Sequence, residues 1–154
     1  NGLSVLVRDA MEHDDFGNEL WSCWRDLNVA YRTFAKMETV DENELYVVDA
    51  LWKKGGGLTQ REICDLCDLN KQTVSATCKR LAADGCISSQ QGAVDKRERI
   101  ITLTDEGYTR WDDPVKRMRK LEHDSAKGIA DWEAAVFLKV ARQYVKAFEE
   151  GLTQ

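Results

Sequence analysis

The 154-residue chain has no stretch of about 18 uninterrupted apolar residues, so no helix able to cross a membrane is expected. Its opening segment, Asn1 to Ala10, carries neither a basic leader nor a small-residue cleavage site, and the expected location is the cytoplasm. Histidine is scarce: His13 and His123 stand too far apart in sequence to suggest a metal site, and neither a metal nor a cofactor is expected. The five cysteines form an odd set without a secretion signal, which points to reduced thiols and against a disulfide framework. No Ser/His/Asp constellation is present. Gly55-Gly56-Gly57 lacks the following lysine and helix context of a phosphate-cradling loop, so an enzyme is not expected. Proline occurs once, at Pro114, and there are no internal repeats.

Positive charge is also in deficit, with 22 Lys and Arg against 27 Asp and Glu, a net charge of −5. A uniformly acidic surface would repel nucleic acid, but the charge is unevenly placed. Residues 1–52 carry a net −7, residues 53–110 a net +2, and residues 111–154 a net 0. Within the basic middle, Lys71, Lys79 and Arg80 form one cluster and Lys96, Arg97 and Arg99 another. Two such clusters have the form of an electrostatic footprint.

Hydrophobic periodicity supplies the elements. Leu20, Trp21, Trp24, Leu27, Tyr31, Phe34 and Met37 recur at helical spacing from Asn18 to Met37, giving an amphipathic helix with a broad aromatic stripe. Asp41 and Glu44 have the spacing of a capping box, opening a second helix through Leu45, Val48, Leu51 and Trp52 that the three glycines end. Thr59 and Glu62 form another capping box, for a short helix burying Ile63, Leu66 and Cys67. After Asp68-Leu69-Asn70, Asn70 caps a third helix from Lys71 to about Asp84, and Gly85 stops it. Two helices so close together make a helix-turn-helix.

The period then changes to two. Cys86 to Gln90 and Arg97 to Leu103 are β-prone runs around Gly92 and make a hairpin. Thr104-Asp105-Glu106 caps a further helix, in which Pro114 either introduces a kink or marks a restart. A last helix runs from about Asp131 to Glu149, with Val136, Phe137, Val140, Tyr144 and Phe148 on its apolar side.

A major groove admits a helix whose short polar side chains meet base edges. With Val74, Cys78 and Leu81 inward, the third helix turns Lys71, Gln72, Ser75, Ala76 and Lys79 outward. Gln72 suits adenine, Lys71 guanine, and Ser75 several bases. Thr73, Thr77 and Arg80 flank this face and suit phosphates, with Asn70 at the helix start. At the hairpin, Asp95, Lys96, Arg97 and Arg99 crowd the tip, where Arg97 is placed for a minor groove and Asp95 can hold its guanidinium or that of Arg99.

In this order the residues resemble the MarR family of bacterial transcription regulators. The matching strings are Leu58-Thr59-Gln60-x-Glu62-Ile63, Lys71-x-Thr73-Val74-Ser75, Lys79-Arg80-Leu81 with Asp84-Gly85, and Asp95-x-Arg97 followed by Leu103-Thr104-x-x-Gly107. The resemblance implies a mainly α fold with a small β-hairpin wing. It further implies N-terminal dimerisation helices over residues 1–40, a winged helix-turn-helix over 41–107 and C-terminal dimerisation helices over 108–154. It implies a homodimer on palindromic double-stranded DNA, acting as a repressor that a small aromatic or phenolic ligand releases. Lys71, Gln72, Ser75, Ala76 and Lys79 then occupy the base-reading helix and Arg97 the wing arginine. The first wing strand, Ser88-Ser89-Gln90-Gln91, lacks the arginine that relatives often carry.

Other readings stay open at this point. Trp21, Trp24, Tyr31 and Trp52 serve either as dimer core or as the lining of an aromatic-ligand pocket. Cys64-x-x-Cys67, with Cys78 and Cys86, is expected to pack as small buried hydrophobes, with zinc or redox chemistry as the alternative. Cys23, near Arg25, is a candidate redox sensor. A dimeric winged helix that binds a protein instead of DNA fits the acidic first third.

Overall fold

A computed structural model describes residues 13–92 and 98–153. The chain divides into two compact units, Asn1–Val115 and Lys116–Gln154, and helix α5 runs from one into the other.

The first unit is built from α1 (His13–Met37), α2 (Glu42–Lys54), β1 (Leu58–Thr59), α3 (Gln60–Cys67), α4 (Lys71–Ala83), β2 (Ile87–Gln91), β3 (Arg99–Leu103) and the first half of α5 (Asp105–Ala126). Helix α1 starts five residues before the Asn18 read from periodicity, because His13 to Gly17 holds a single apolar residue, Phe16, too little to show a helical period. Helix α2 ends as its glycines require: Gly55 adopts φ +68° and donates its N–H to the Leu51 carbonyl at 3.1 Å. Helix α3 has a complete capping box, with Glu62 N–H to Thr59 Oγ1 at 3.2 Å and Thr59 N–H to Glu62 Oε2 at 2.8 Å. The Thr59 N–H and then the Thr59 hydroxyl, both donating to Glu62 Oε2, hold the Glu62 carboxyl below its ordinary range.

The core lies where these elements meet. Leu45, Val47, Val48, Leu51, Leu58, Ile63, Val74, Leu81, Cys86 and Val115 are all at most 1% exposed. Two expectations fail here. Leu66, expected inside, is 64% exposed, since an eight-residue helix turns only one stripe inward and Ile63 fills it. Thr77, expected beside the phosphates, is 1% exposed between Val74, Cys78 and Leu81 on the buried side of α4.

The hairpin is part of a three-stranded antiparallel sheet in the order β1-β3-β2. β2 pairs with β3 from Ile87 opposite Leu103 to Gln91 opposite Arg99, and Gly92 N–H reaches the Glu98 carbonyl at 2.9 Å. β1 adds Leu58 opposite Ile101 and Thr59 opposite Ile100, a strand too short to show a period in the sequence. Gly107 lies where α5 crosses the start of β2; a Cβ there would sit 2.0 Å from the Cys86 carbonyl oxygen. Helix α5 neither breaks nor restarts at Pro114, although the ring leaves the Arg110 carbonyl without its helical donor.

The second unit contains the rest of α5 and α6 (Asp131–Gly151), which starts with Glu133 accepting from the Ala130 N–H at 2.8 Å. No residue of α6 is buried, and Phe137 and Phe148 are 59% and 61% exposed.

Candidate nucleic-acid interface

Helix α4 is fixed at both ends. Asn70 Oδ1 accepts the Thr73 N–H at 2.9 Å, and beyond the last turn Cys86 N–H closes on the Leu81 carbonyl at 2.8 Å while Gly85 adopts φ +73°. With Val74, Thr77, Cys78 and Leu81 buried, the helix can present only one other face. That face carries Lys71, Gln72, Ala76 and Lys79 in the open, with Thr73 and Ser75 half-buried at its edge. Its N-terminal residues are short or flexible and polar, as base-edge contact requires.

Between α4 and the wing lies an open groove of about 490 Å³, lined among others by Ser75, Lys79, Ser88, Ser89, Arg61 and Arg99. Arg61, in the first turn of α3, belongs to this surface although the sequence reading passed over it. Its signal was spacing: one residue before Glu62 of the capping box, it must stand at the solvent side of a helix start. Arg99 bridges to the first wing strand, donating from Nε to Ser89 Oγ at 2.9 Å and from Nη2 to the Ser89 carbonyl at 3.3 Å. A guanidinium thus sits over the strand that has no arginine of its own. Asp95, Lys96 and Arg97 lie outside the described residues.

Arg80 behaves differently from its neighbours on α4. Its Nε donates to Glu44 Oε1 at 2.8 Å and its Nη2 lies 3.3 Å from Asp41 Oδ1. The expected capping box at Asp41 is therefore half formed: Asp41 accepts the Asn43 and Glu44 N–H groups at 3.0 Å each, while the Glu44 side chain turns to α4.

The candidate ligand residues separate. Trp24 and Tyr31 line a groove of about 850 Å³ with Leu27, Tyr46, Arg32 and Leu66. Tyr31 and Tyr46 meet edge to face at 6.3 Å, and Tyr46 OH donates to Glu42 Oε1 at 3.0 Å. Burial, then the Glu42 carboxylate, push the Tyr46 hydroxyl up to about 12. Trp21 is 67% exposed on α1, and Trp52 packs edge to face on Tyr108 at 4.8 Å, away from the residues lining this groove. Cys78 and Cys86 are buried, Cys64 and Cys67 half-buried and Cys23 exposed. Burial pushes the Cys67 and Cys78 thiols up to about 11, the opposite of the shift a reactive cysteine needs.

A capped polar helix set on a three-stranded wing is a winged helix-turn-helix. The MarR family model matches residues 40–98 of this chain, and solved MarR-family regulators share its fold. YwoH, an HTH-type transcriptional regulator of Bacillus subtilis, is 30% identical over 91 residues, 59% of this chain and 66% of YwoH. NMB1585, a MarR family regulator from Neisseria meningitidis, has the same fold, with a TM-score of 0.77 at 22% identity over 88% of this chain and 95% of that one. BpsR of Bordetella bronchiseptica, whose DNA binding is regulated by 6-hydroxynicotinic acid, gives a TM-score of 0.65 at 15% identity over 89% and 96%.

Proposed function

We propose that the chain binds palindromic DNA as a homodimer and represses transcription until a small aromatic ligand releases it. The observation that carries this reading is the open face of α4. Lys71, Gln72 and Lys79 project from a helix whose other side is locked in the core, beside a groove bordered by Arg61 and Arg99. On this reading Gln72 and Lys71 read bases, Ser75 and Ala76 contact the groove floor, and Asn70, Thr73, Lys79 and Arg99 set register on phosphates. Asp95, Lys96 and Arg97 complete the wing contact.

Dimerisation is supported by the apolar side of α6, where Val136, Phe137, Tyr144 and Phe148 stand exposed on a helix that buries nothing. A second copy would cover such a face and place two recognition helices about 34 Å apart. The groove beside Trp24, Tyr31 and Tyr46 supports a ligand site: about 850 Å³ falls in the range of small-molecule pockets, and Arg32, paired with Glu42 at 3.3 Å, would turn from that partner to meet an aromatic acid.

Electrophoretic shift of the promoter region of the protein's own operon tests the reading. Retardation that weakens steeply with salt is expected, and no retardation at low salt would sink it. A salt-insensitive association with a protein, and no DNA affinity, would instead favour a protein-binding winged helix. Aromatic acids, 6-hydroxynicotinate among them, are expected to lower DNA affinity; a panel without effect removes the ligand part alone.

A further inference from the structure

Arg80 lies at the middle of a charged bridge between two helices. Its guanidinium reaches Glu44 at 2.8 Å, Asp41 at 3.3 Å and Thr77 Oγ1 at 3.5 Å. Asp41 is also the N-cap of α2, so the oxygen that receives Arg80 already receives two backbone N–H groups. The Glu44 side chain is only 15% exposed, whereas Arg80 is 49% exposed. This asymmetry separates the bridge from an ordinary surface ion pair, which contributes little. A carboxylate so far out of water needs its partner, and without Arg80 it would be left largely unpaired. Arg80 follows Lys79, which has no hydrogen bond or ion pair among the described residues. Adjacent cations on one helix are thus in opposite situations, one free for an outside anion and one held from within.

We propose that Arg80 is a positioning residue: by clasping Glu44 and Asp41 it fixes the angle of α4 against α2, and so aims the base-reading face without contacting phosphate. The proposal rests on the DNA-binding reading above. It explains why an arginine at the edge of a DNA-facing helix has two acidic partners. Glu44 and Asp41, with Thr77, engage the guanidinium from within the protein. The guanidinium suits this task because its rigid fork meets two carboxylates at once, which an ammonium cannot match in geometry.

Glu44→Gln provides the decisive measurement, because it removes negative charge. On electrostatics alone that change should tighten DNA binding. Four full-length variants are compared with wild type: Arg80→Met, Glu44→Gln, the double variant, and Lys79→Met as the phosphate control. Each is titrated across a salt series with a labelled duplex from its own promoter region and with a scrambled duplex of the same composition. The clasp predicts that Arg80→Met and Glu44→Gln both weaken promoter binding by roughly tenfold, with a smaller loss on the scrambled duplex. Both keep the wild-type slope of log K against log salt, and the double variant is no worse than the worse single one. Lys79→Met instead loses affinity on both duplexes and lowers the slope by about 0.9. The proposal is overturned if Arg80→Met lowers the slope in the same way, or if Glu44→Gln tightens binding. Asp41→Asn guards against mere loss of the α2 cap, since asparagine keeps the capping oxygen, and it too should reduce the ratio of promoter to scrambled affinity. Failure of wild type to bind either duplex would overturn the DNA-binding reading and this proposal with it; failure of the clasp alone leaves wild-type binding intact.

Discussion

Replacing Gly107 by alanine should loosen the junction of wing and α5 far more than one methyl group suggests. The added Cβ would lie 2.0 Å from the Cys86 carbonyl oxygen and 2.9 Å from its carbon, both backbone atoms that cannot rotate away. An ordinary contact to that oxygen begins at 3.4 Å, so the first turn of α5 must lift from the start of β2. That lift strains the bonds clustered there: Thr104 N–H to the Cys86 carbonyl at 3.0 Å, Thr104 Oγ1 to the Gly85 carbonyl at 2.6 Å, and Gly107 N–H to Thr104 Oγ1 at 3.0 Å. Losing two or three of them costs about 1 kcal/mol each, and overpacking adds about 1–3 kcal/mol. The gain in helix propensity from alanine offsets about 1 kcal/mol. A net loss of about 2–5 kcal/mol should appear in urea unfolding as a lower midpoint at unchanged slope. Gly56→Ala is the control, because a Cβ there meets nothing within 4 Å, and it should stay within about 0.5 kcal/mol of wild type. A neutral or stabilising Gly107→Ala would refute the reasoning.

Further expectations concern the DNA face, the core and the thiols. Gln72→Ala should alter base preference at one position by about 1–3 kcal/mol, read from a panel of single-base operator variants; equal loss on every sequence would contradict a base contact. Thr77→Ala should cost about 1–2 kcal/mol in unfolding while leaving the salt slope of DNA binding at the wild-type value, as befits a buried residue. Cys67 and Cys78, whose thiols rise from 9.0 to about 11, remain protonated in the folded chain where an unfolded chain has begun to ionise. Their stabilising contribution is therefore complete below about pH 9 and fades as pH climbs toward 11, measurable as a falling melting temperature. At pH 8 a thiol reagent should label exposed Cys23 before either of them, and prompt labelling of Cys67 would contradict the burial account.

Local chemistry made most of the first unit legible in the sequence. Thr59 with Glu62, Asn70 and Gly85 state helix ends through hydrogen bonds to near neighbours, and each forms as the spacing implied. Periodicity likewise identified Val74, Cys78 and Leu81 as the inward side of α4. Long-range partners were not legible. Glu44 sits at the spacing of a local cap, but Arg80, 36 residues away, offers a full charge where the backbone offers a partial one. Thr77 looked polar by type, yet four inward positions in two turns of α4 left it no route to solvent. β1 contains two residues and takes its identity from pairing with β3. The aromatic residues of α1 and α2 were candidates for one shared cluster, but helix geometry turned Trp24 and Tyr31 toward one groove and Trp52 toward Tyr108.

Thr59 holds two offices at once, as the last residue of β1 and the N-cap of α3. Strand and helix therefore share a residue, with no slack between them, and Gly57 just upstream is wedged against Ile100 and Thr102 of β3. The wing and the first helix of the reading pair are in mechanical terms a single lever. Compliance has to be sought one step earlier, at Gly55 and Gly56, where a side chain would touch nothing. On the DNA-binding reading proposed above, a change of grip would swing the whole reading head from that corner and would not flex the wing against the helix beside it.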